Sequence, residues 1–338
     1  MTAGRHLGAA ALNALACALG ASLVAAAPAA KRQQPAAAPA QPAPAPADPD
    51  ADLAYGAFQR GLYITAFAEA TRRVEQKGDP KAMTLLGEIY ADGLGVPQDD
   101  QKAAEWYKLA VDRGDREAMF ALAMFRMTGR AGPRDRDEAA RLLAAAAKLG
   151  HAVAAYNLGL LYLEGQLFPQ DFSRAAELFR TAAYAGNAEA QYALATLYKE
   201  GRGVPQDLRE AARLLGAAAL AENVDAEVEY AIALFNGTGI PKNETAAATY
   251  LRKAAHRGSP IAQNRLAFMY ATGRGIPADP VQAARWHLIA KAGGGSDPYL
   301  DDFISRMKPE DRAKAEEAAK PWMMVMAPAN HPMEAPRP

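Results

Sequence analysis

The chain of 338 residues has few of the features that mark a disulfide scaffold, a metal site or a nucleic-acid binder. Its one cysteine, Cys17, cannot form an internal disulfide, and no group of Cys and His has the spacing of a zinc site. Lys and Arg together number 38, as do Asp and Glu, so no basic excess is available for a phosphate backbone. We therefore expect no disulfide, no metal or other cofactor and no nucleic-acid partner.

Aromatic residues are also scarce, at 8%, although 50% of the chain is hydrophobic. Alanine accounts for much of the difference, with 82 residues. Alanine has the highest helix propensity and β-branched residues are sparse, so the composition favours an all-α protein.

The N-terminus has the layout of an export signal. Arg5 and His6 precede an apolar run over residues 7–24, and small residues follow at 25–27. Residues 1–27 are predicted to be a signal peptide, which places the protein in the bacterial periplasm or envelope. An uncleaved anchor in the inner membrane is the alternative, because residues 7–30 are just long enough to span a bilayer. Acylation of Cys17 is a third reading, although Leu is missing three positions before it.

Two segments are too rich in proline to form a core. Residues 28–50 consist almost entirely of Pro, Ala and Gln and are predicted to be an extended linker. Residues 327–338 form a Pro-rich tail that we expect to be disordered.

Between these segments the chain repeats every 36 residues without insertion or deletion. The period is carried by a glycine, by a proline four positions later and by alanine in four registers. The glycines are Gly93, Gly129, Gly165, Gly201, Gly237 and Gly273.

Each repeat is predicted to be a helical hairpin. In the fourth copy an amphipathic stripe over residues 190–199 stops at Gly201, and Pro205 cannot continue a helix. Asp207 then caps the second helix by accepting a backbone N–H. The equivalent caps are Asp99, Asp135, Asp171, Asn243 and Asp279. Alanine recurs where helices cross closely, and one register of large residues is expected to fill the space between layers: Trp106, Leu142, Leu178, Leu214, Tyr250 and Trp286.

This pattern, clearest over residues 82–110 and 190–218, resembles the Sel1-like repeat family, which is related to tetratricopeptide repeats. The resemblance covers residues 80–295 and implies an α-solenoid of six stacked antiparallel hairpins. Residues 51–79 resemble a degenerate leading repeat, and residues 296–326 are predicted to be capping helices, with Trp322 folding back on the last layer. Repeats two and three depart from the pattern at Ala131 and Leu167, so their loops are expected to be distorted while the hairpins survive.

No catalytic motif is present in the sequence. The Gly-x-Gly segments follow helices and precede proline, so they are interpreted as turns rather than phosphate-binding loops. The histidines share no motif and are expected on the surface or half-buried. The resemblance to Sel1-like proteins implies a non-enzymatic scaffold or regulator that binds a protein partner on the concave face. The alternative is a β-lactam hydrolase, as suggested for some disulfide-rich relatives, although their cysteines are missing here.

The candidate partner-binding residues are those that vary within the regular frame. One register of the first helix reads Leu85, Ala121, Asn157, Ala193, Glu229 and Arg265. Asp225 and Glu229 lie one turn apart, one turn after Glu222, and form an acidic ridge with no Lys or Arg nearby in sequence. Arg126 belongs to a set of arginines in repeat two, which also contains Arg116, Arg130, Arg134 and Arg136. Each group is either a partner-binding site or a solvated helix face.

Overall fold

The computed structural model describes residues 52–326, and every regular element in that range is an α-helix. The predicted signal peptide, linker and C-terminal tail lie outside the described residues. The sixteen helices of the described range are α1 Leu53–Gln59, α2 Tyr63–Lys77, α3 Pro80–Asp92, α4 Asp100–Val111, α5 Arg116–Thr128, α6 Arg136–Lys148, α7 Ala152–Glu164, α8 Phe172–Tyr184, α9 Ala188–Glu200, α10 Leu208–Leu220, α11 Val224–Asn236, α12 Glu244–His256, α13 Pro260–Thr272, α14 Pro280–Ala292, α15 Pro298–Ser305 and α16 Pro309–Met326.

Six hairpins, from α3–α4 to α13–α14, stack in two layers. Each helix packs against the helices before and after it in the chain. Lys199 of α9 binds Glu229 of α11 across neighbouring first helices, and the rings of His256 in α12 and Trp286 in α14 lie 5.0 Å apart across neighbouring second helices. The predicted all-α solenoid is therefore confirmed.

Side chains before both helices of every hairpin cap the helix N-termini. The predicted second-helix caps are confirmed: in each, a side-chain oxygen accepts a backbone N–H two or three residues later. Sequence reasoning did not assign the first-helix caps, which do the same work: Asp79, Asp115, His151, Asn187, Asn223 and Ser259.

The predicted register of large residues packs between layers, since half-buried Trp106 and Leu142 each contact two neighbouring apolar cores, but a second register one position later lies deeper. In the predicted register only Leu214 and Trp286 are buried. The next register is buried in all six repeats, at Tyr107, Leu143, Phe179, Leu215, Leu251 and His287. Both registers are mostly apolar, and a helix turns by about 100° per residue, so the packing against the first helix decides which one faces inward.

The buried large residue is matched by a small residue 20 positions earlier, on the first helix of the same hairpin. Gly87 faces Tyr107 and Gly159 faces Phe179, and a Cβ added at Gly159 would lie 2.6 Å from the Phe179 ring. Where the second-helix residue is smaller, the first helix carries alanine, as at Ala195 opposite Leu215. The size of one residue therefore compensates for the size of the other within each hairpin.

The two irregular loops leave the hairpins intact, as predicted. Ala131 takes the left-handed conformation at φ 57°, whereas Leu167 does not. In repeat four the Arg202 N–H donates to the Leu197 carbonyl at 3.1 Å, a bond without a counterpart in the described structure of repeat three. The bond from the Asp171 N–H to the Tyr162 carbonyl, at 3.1 Å, still closes that loop.

The C-terminal helices cover the last hairpin. Ala315 and Ala319 of α16 are buried against it. The Trp322 ring lies 5.6 Å from the ring of Trp286 and 5.6 Å from that of His256, so its predicted return to the last layer is confirmed.

Candidate functional site

The outward face of the first helices forms a surface that runs through all six repeats. Residues spaced i, i+4, i+7 and i+11 lie on one side of a helix, opposite the buried positions such as Leu86 and Ile89. We call the residues in these four registers the first-helix surface: 81, 85, 88 and 92, with their equivalents at each 36-residue step.

Three predicted binding residues lie in one register of this surface, and a fourth lies in the register beside it. Asn157, Glu229 and Arg265 occupy the first register, and Asp225 the second. Arg265 is exposed, whereas Asn157 is half-buried and donates from Nδ2 to the Val153 carbonyl at 2.8 Å. These four residues therefore share one surface but are spread over three repeats.

Arg126 lies apart from this surface. Its guanidinium Nε is 2.6 Å from the Glu138 carboxylate of α6, and its side chain is only 22% exposed. Two further arginines of repeat two are also paired, Arg130 with Asp100 and Arg136 with Glu164. The structure therefore shows these arginines in contacts within and between repeats.

The predicted acidic ridge is partly wrong. Glu222 does not continue the helix but precedes it in a left-handed conformation, with φ 65°. Basic residues that are distant in sequence also reach the ridge: Lys199 binds Glu229 at 3.0 Å and Lys253 lies 3.4 Å from Glu222. Only Asp225 of the three lacks a basic partner within 4.0 Å in the described part of the chain.

A row of apolar side chains on this surface was missed. In the register of residue 88, Met124, Leu160, Ile232 and Phe268 are half-buried rather than core residues. The signal was present in the sequence, because the register lies three residues after the variable one and therefore on the same helix face. These side chains supply apolar contact area that the charged register alone does not have.

A cavity of about 710 Å³ lies at the N-terminal end of the first-helix surface. It is lined by residues of α1, α3 and the start of α5, with Tyr55, Leu85 and Leu149 as apolar walls and Glu88 as a polar group. Its volume lies within the range of small-molecule and side-chain pockets.

Glu88 has an unusual environment in this cavity. Burial, together with the smaller effects of the nearby carboxylates of Asp92, Glu117 and Asp115, raises the pKa of its carboxyl group to about 7. Sequence reasoning did not select Glu88, because its neighbours Asp115 and Glu117 lie at the start of α5, far from it in sequence.

Two histidines are buried, contrary to the expectation of surface or half-buried positions. His151 is 7% exposed, caps α7 through Nδ1 and places Nε2 at 2.9 Å from Glu117. His287 is fully buried, with Nδ1 at 2.7 Å from Asn264 Oδ1 and Nε2 at 3.2 Å from Asp301 Oδ1. Hydrogen bonds from Lys291 and His287 lower the pKa of Asp301. Both histidines therefore hold helices together.

Within residues 52–326, no group of three His, Cys, Asp or Glu side chains is arranged to hold a metal ion. In the same range, no helix is both long and apolar enough to cross a membrane.

The stacked hairpins define a helical-repeat solenoid whose regular layers carry a variable outer surface. The Sel1 repeat family profile matches six consecutive ranges, 80–115, 116–151, 152–187, 188–223, 224–259 and 260–295. The chain belongs to the Sel1 repeat family, whose members are protein-interaction scaffolds.

Solved structures show the same fold. A Sel1 repeat protein from Oxalobacter formigenes is 25% identical over 74% of this chain and 99% of its own, with a TM-score of 0.60. A protective antigen of uropathogenic Escherichia coli with an SLR fold is 25% identical over 79% of this chain, with a TM-score of 0.54. This chain spans 65% of the length of that antigen. A comparison with curated proteins found no match.

Proposed function

We propose that this protein is an exported, non-enzymatic scaffold or regulator of the bacterial cell envelope that binds a protein partner along its first-helix surface. The observation that supports this proposal is that the buried registers are constant while the outward registers of the first helices vary. The buried register of Ala103 is alanine in all six repeats, whereas the outward registers hold acidic, basic, amide, aliphatic and aromatic side chains. A rigid frame with a varied surface suits recognition of one particular partner.

Export is supported by the charged, apolar and small-residue order of residues 1–27. An alkaline phosphatase reporter fused after residue 50 tests it, because the reporter is active only outside the cytoplasm. We expect an active fusion from the intact N-terminus and an inactive one when residues 7–24 are deleted. An inactive intact fusion would contradict the envelope assignment.

Partner binding is tested by chemical crosslinking of the full chain in intact cells, followed by mass spectrometry of the crosslinked peptides. We expect one envelope protein to be crosslinked to residues of the first-helix surface. Recovery of cytoplasmic proteins alone would count against the proposal.

The non-enzymatic reading is tested with a chromogenic β-lactam. The full chain is expected to leave the substrate intact at every protein concentration. Turnover that a single point substitution abolishes would establish a hydrolase and overturn this part of the proposal.

A further inference from the structure

The first-helix surface is acidic although the chain as a whole is neutral. Its four registers contain eight carboxylates, at Glu88, Asp92, Glu117, Glu164, Glu189, Glu200, Asp225 and Glu229, and two cations, at Lys81 and Arg265. The four registers therefore hold six more acidic than basic residues, eight against two.

Half of these carboxylates are not neutralised by the protein itself. Glu117, Glu164, Glu200 and Glu229 each have a basic group within 4.0 Å. Within residues 52–326, Glu88, Asp92, Glu189 and Asp225 have none. The pKa of Asp225 is raised because burial removes water from its carboxyl group and because Glu229 adds a like charge. The free protein therefore holds negative charges close together without compensation, and a bound cation would relieve that repulsion.

Glu88 lies where a cation would be held most closely. It lines the 710 Å³ cavity together with the apolar groups of Tyr55, Leu85 and Leu149, which suit the methylene stem of a long side chain. Lys81 and Arg116 also line the cavity. Arg116 contacts Glu117 at 3.2 Å and donates to the Leu149 carbonyl at 3.2 Å, so it is turned to other acceptors.

The row of apolar side chains on the first-helix surface offers apolar contacts to the same bound segment. Met124, Leu160, Ile232 and Phe268 follow the cavity along the stack, one in each of four repeats. A segment that lies along this row meets apolar contacts at its centre and carboxylates at both edges, from the registers of residues 81 and 92.

We propose that the partner presents a basic segment with apolar anchors to the first-helix surface, and that one lysine or arginine of this segment enters the cavity and binds the Glu88 carboxylate. This inference rests on the proposed function, because it names the chemistry of the partner that occupies the same surface. The apolar anchors pack on the row, and the remaining basic side chains face Asp92, Glu189 and Asp225.

The test uses three synthetic peptides of about 12 residues, which span roughly 40 Å when extended. They share the same leucine positions and carry lysine, glutamine or glutamate at all other positions. Binding to the full chain is measured by fluorescence anisotropy at physiological ionic strength, which suppresses nonspecific charge attraction. We expect the lysine peptide to bind about tenfold more tightly than the glutamine peptide, and the glutamate peptide to show no binding.

Two substitutions remove the same charge at different places. Glu88→Gln is expected to weaken binding of the lysine peptide about tenfold, because it removes the charged acceptor in the cavity. Glu177→Gln is the matched control, because Glu177 is an exposed glutamate on the second helix of repeat three. It is expected to change the affinity by less than about twofold. Leu160→Asn tests the apolar row. It should weaken binding of the lysine and glutamine peptides by the same factor, because both carry the same leucines.

The pH dependence of peptide binding distinguishes a specific contact with Glu88 from general attraction to the acidic surface. Because the pKa of Glu88 is about 7, the lysine peptide should bind more tightly at about pH 8 than at about pH 6, where Glu88 is largely protonated. The groups that face Glu88 are Asp92, Asp115, Glu117, the Tyr107 hydroxyl and the cavity residues Asp52, Lys81 and Arg116. Arg130 lies near Tyr107, and the His151 ring lies beside Glu117. In Glu88→Gln only the part of the pH dependence contributed by these other groups should remain.

Equal binding of the lysine and glutamine peptides, or equal losses in Glu88→Gln and Glu177→Gln, would overturn the basic-segment proposal. The proposed function would survive those results if an envelope partner still crosslinks to the first-helix surface through a segment without lysine or arginine. The absence of any crosslinked envelope partner would contradict the proposed function itself, whatever the peptides do.

Discussion

Repeats three and four, residues 152–187 and 188–223, have the same architecture and differ in three structural features: one facing pair, one loop residue and the residue after the second helix. Their four helices, α7 to α10, each contain 13 residues. Repeat three pairs Gly159 with Phe179, whereas repeat four pairs Ala195 with Leu215. The comparison teaches that the repeat fixes the backbone while allowing side-chain sizes to be exchanged between facing helices.

The loop glycine and the hairpin end differ as well. Repeat four has Gly203, where a Cβ would overlap the backbone carbonyl of Phe172 in the preceding repeat, and repeat three has Leu167 in its place. Repeat three ends its second helix at Gly186, with φ 87°, and repeat four ends with Glu222 in the same left-handed region. Of these four residues, Leu167 alone lies outside the left-handed region, and Glu222 is the one non-glycine residue within it.

Gly203→Leu, which gives repeat four the loop residue of repeat three, is expected to have the largest effect. The leucine meets both a left-handed backbone and the Phe172 carbonyl, so we expect a loss of about 2–5 kcal/mol in the free energy of unfolding. Urea denaturation followed by circular dichroism measures it. The reciprocal Leu167→Gly should cost only about 1 kcal/mol, from lost apolar contact. A larger cost for Leu167→Gly than for Gly203→Leu would contradict this account of the loop position.

Gly159→Ala tests the exchange of side-chain sizes. The new Cβ would lie 2.6 Å from the Phe179 ring, and the overpacking should exceed the gain in helix propensity, for a net loss of about 1–2 kcal/mol. Adding Phe179→Leu creates the pair found in repeat four and should recover most of that loss. The measurement is a double-mutant cycle by urea denaturation, with an expected favourable coupling of about 1 kcal/mol. Strictly additive effects would contradict the compensation.

Glu222→Gly gives repeat four the hairpin end of repeat three and should have the smallest effect. It removes left-handed strain at Glu222 and loses only an ion pair in which Glu222 is 70% exposed. We expect a gain of about 0.5–1 kcal/mol in the free energy of unfolding, visible as a higher melting temperature. Gly186→Glu, the reverse change, should lower the stability by about 1 kcal/mol. Destabilisation by Glu222→Gly would mean that the Lys253 contact outweighs the strain.

The fold could be predicted from the sequence because its signals are local and repeated. The period of 36 residues, the glycine at each first-helix end and the caps such as Asp207 lie within a few residues of the feature that they specify. The rotation of each helix was harder to predict. Trp106 and Tyr107 are adjacent and both apolar, and only contact with Gly87 shows that Tyr107 faces inward.

The candidate surface could be predicted in part. The variation at Asn157, Glu229 and Arg265 locates the register, since the two registers that follow it, those of residues 86 and 87, are nearly constant. The charge balance of the surface could be predicted only in part, because two of its four ion pairs join residues about one repeat apart. Lys199 and Glu229 are 30 positions apart in sequence, and the carboxylates beside Glu88 come partly from α5.

The central claim, that the first helices bind while the second helices build the frame, is tested most directly by photocrosslinking at two matched threonines. Thr196 lies on the first-helix surface and Thr249 on the exposed side of α12, and both hydroxyls bond to the carbonyl four residues earlier. A photoreactive amino acid replaces one or the other in the full chain, and intact cells are irradiated. The account predicts an adduct with an envelope protein from position 196 and none from position 249. An adduct from position 249 alone would contradict it.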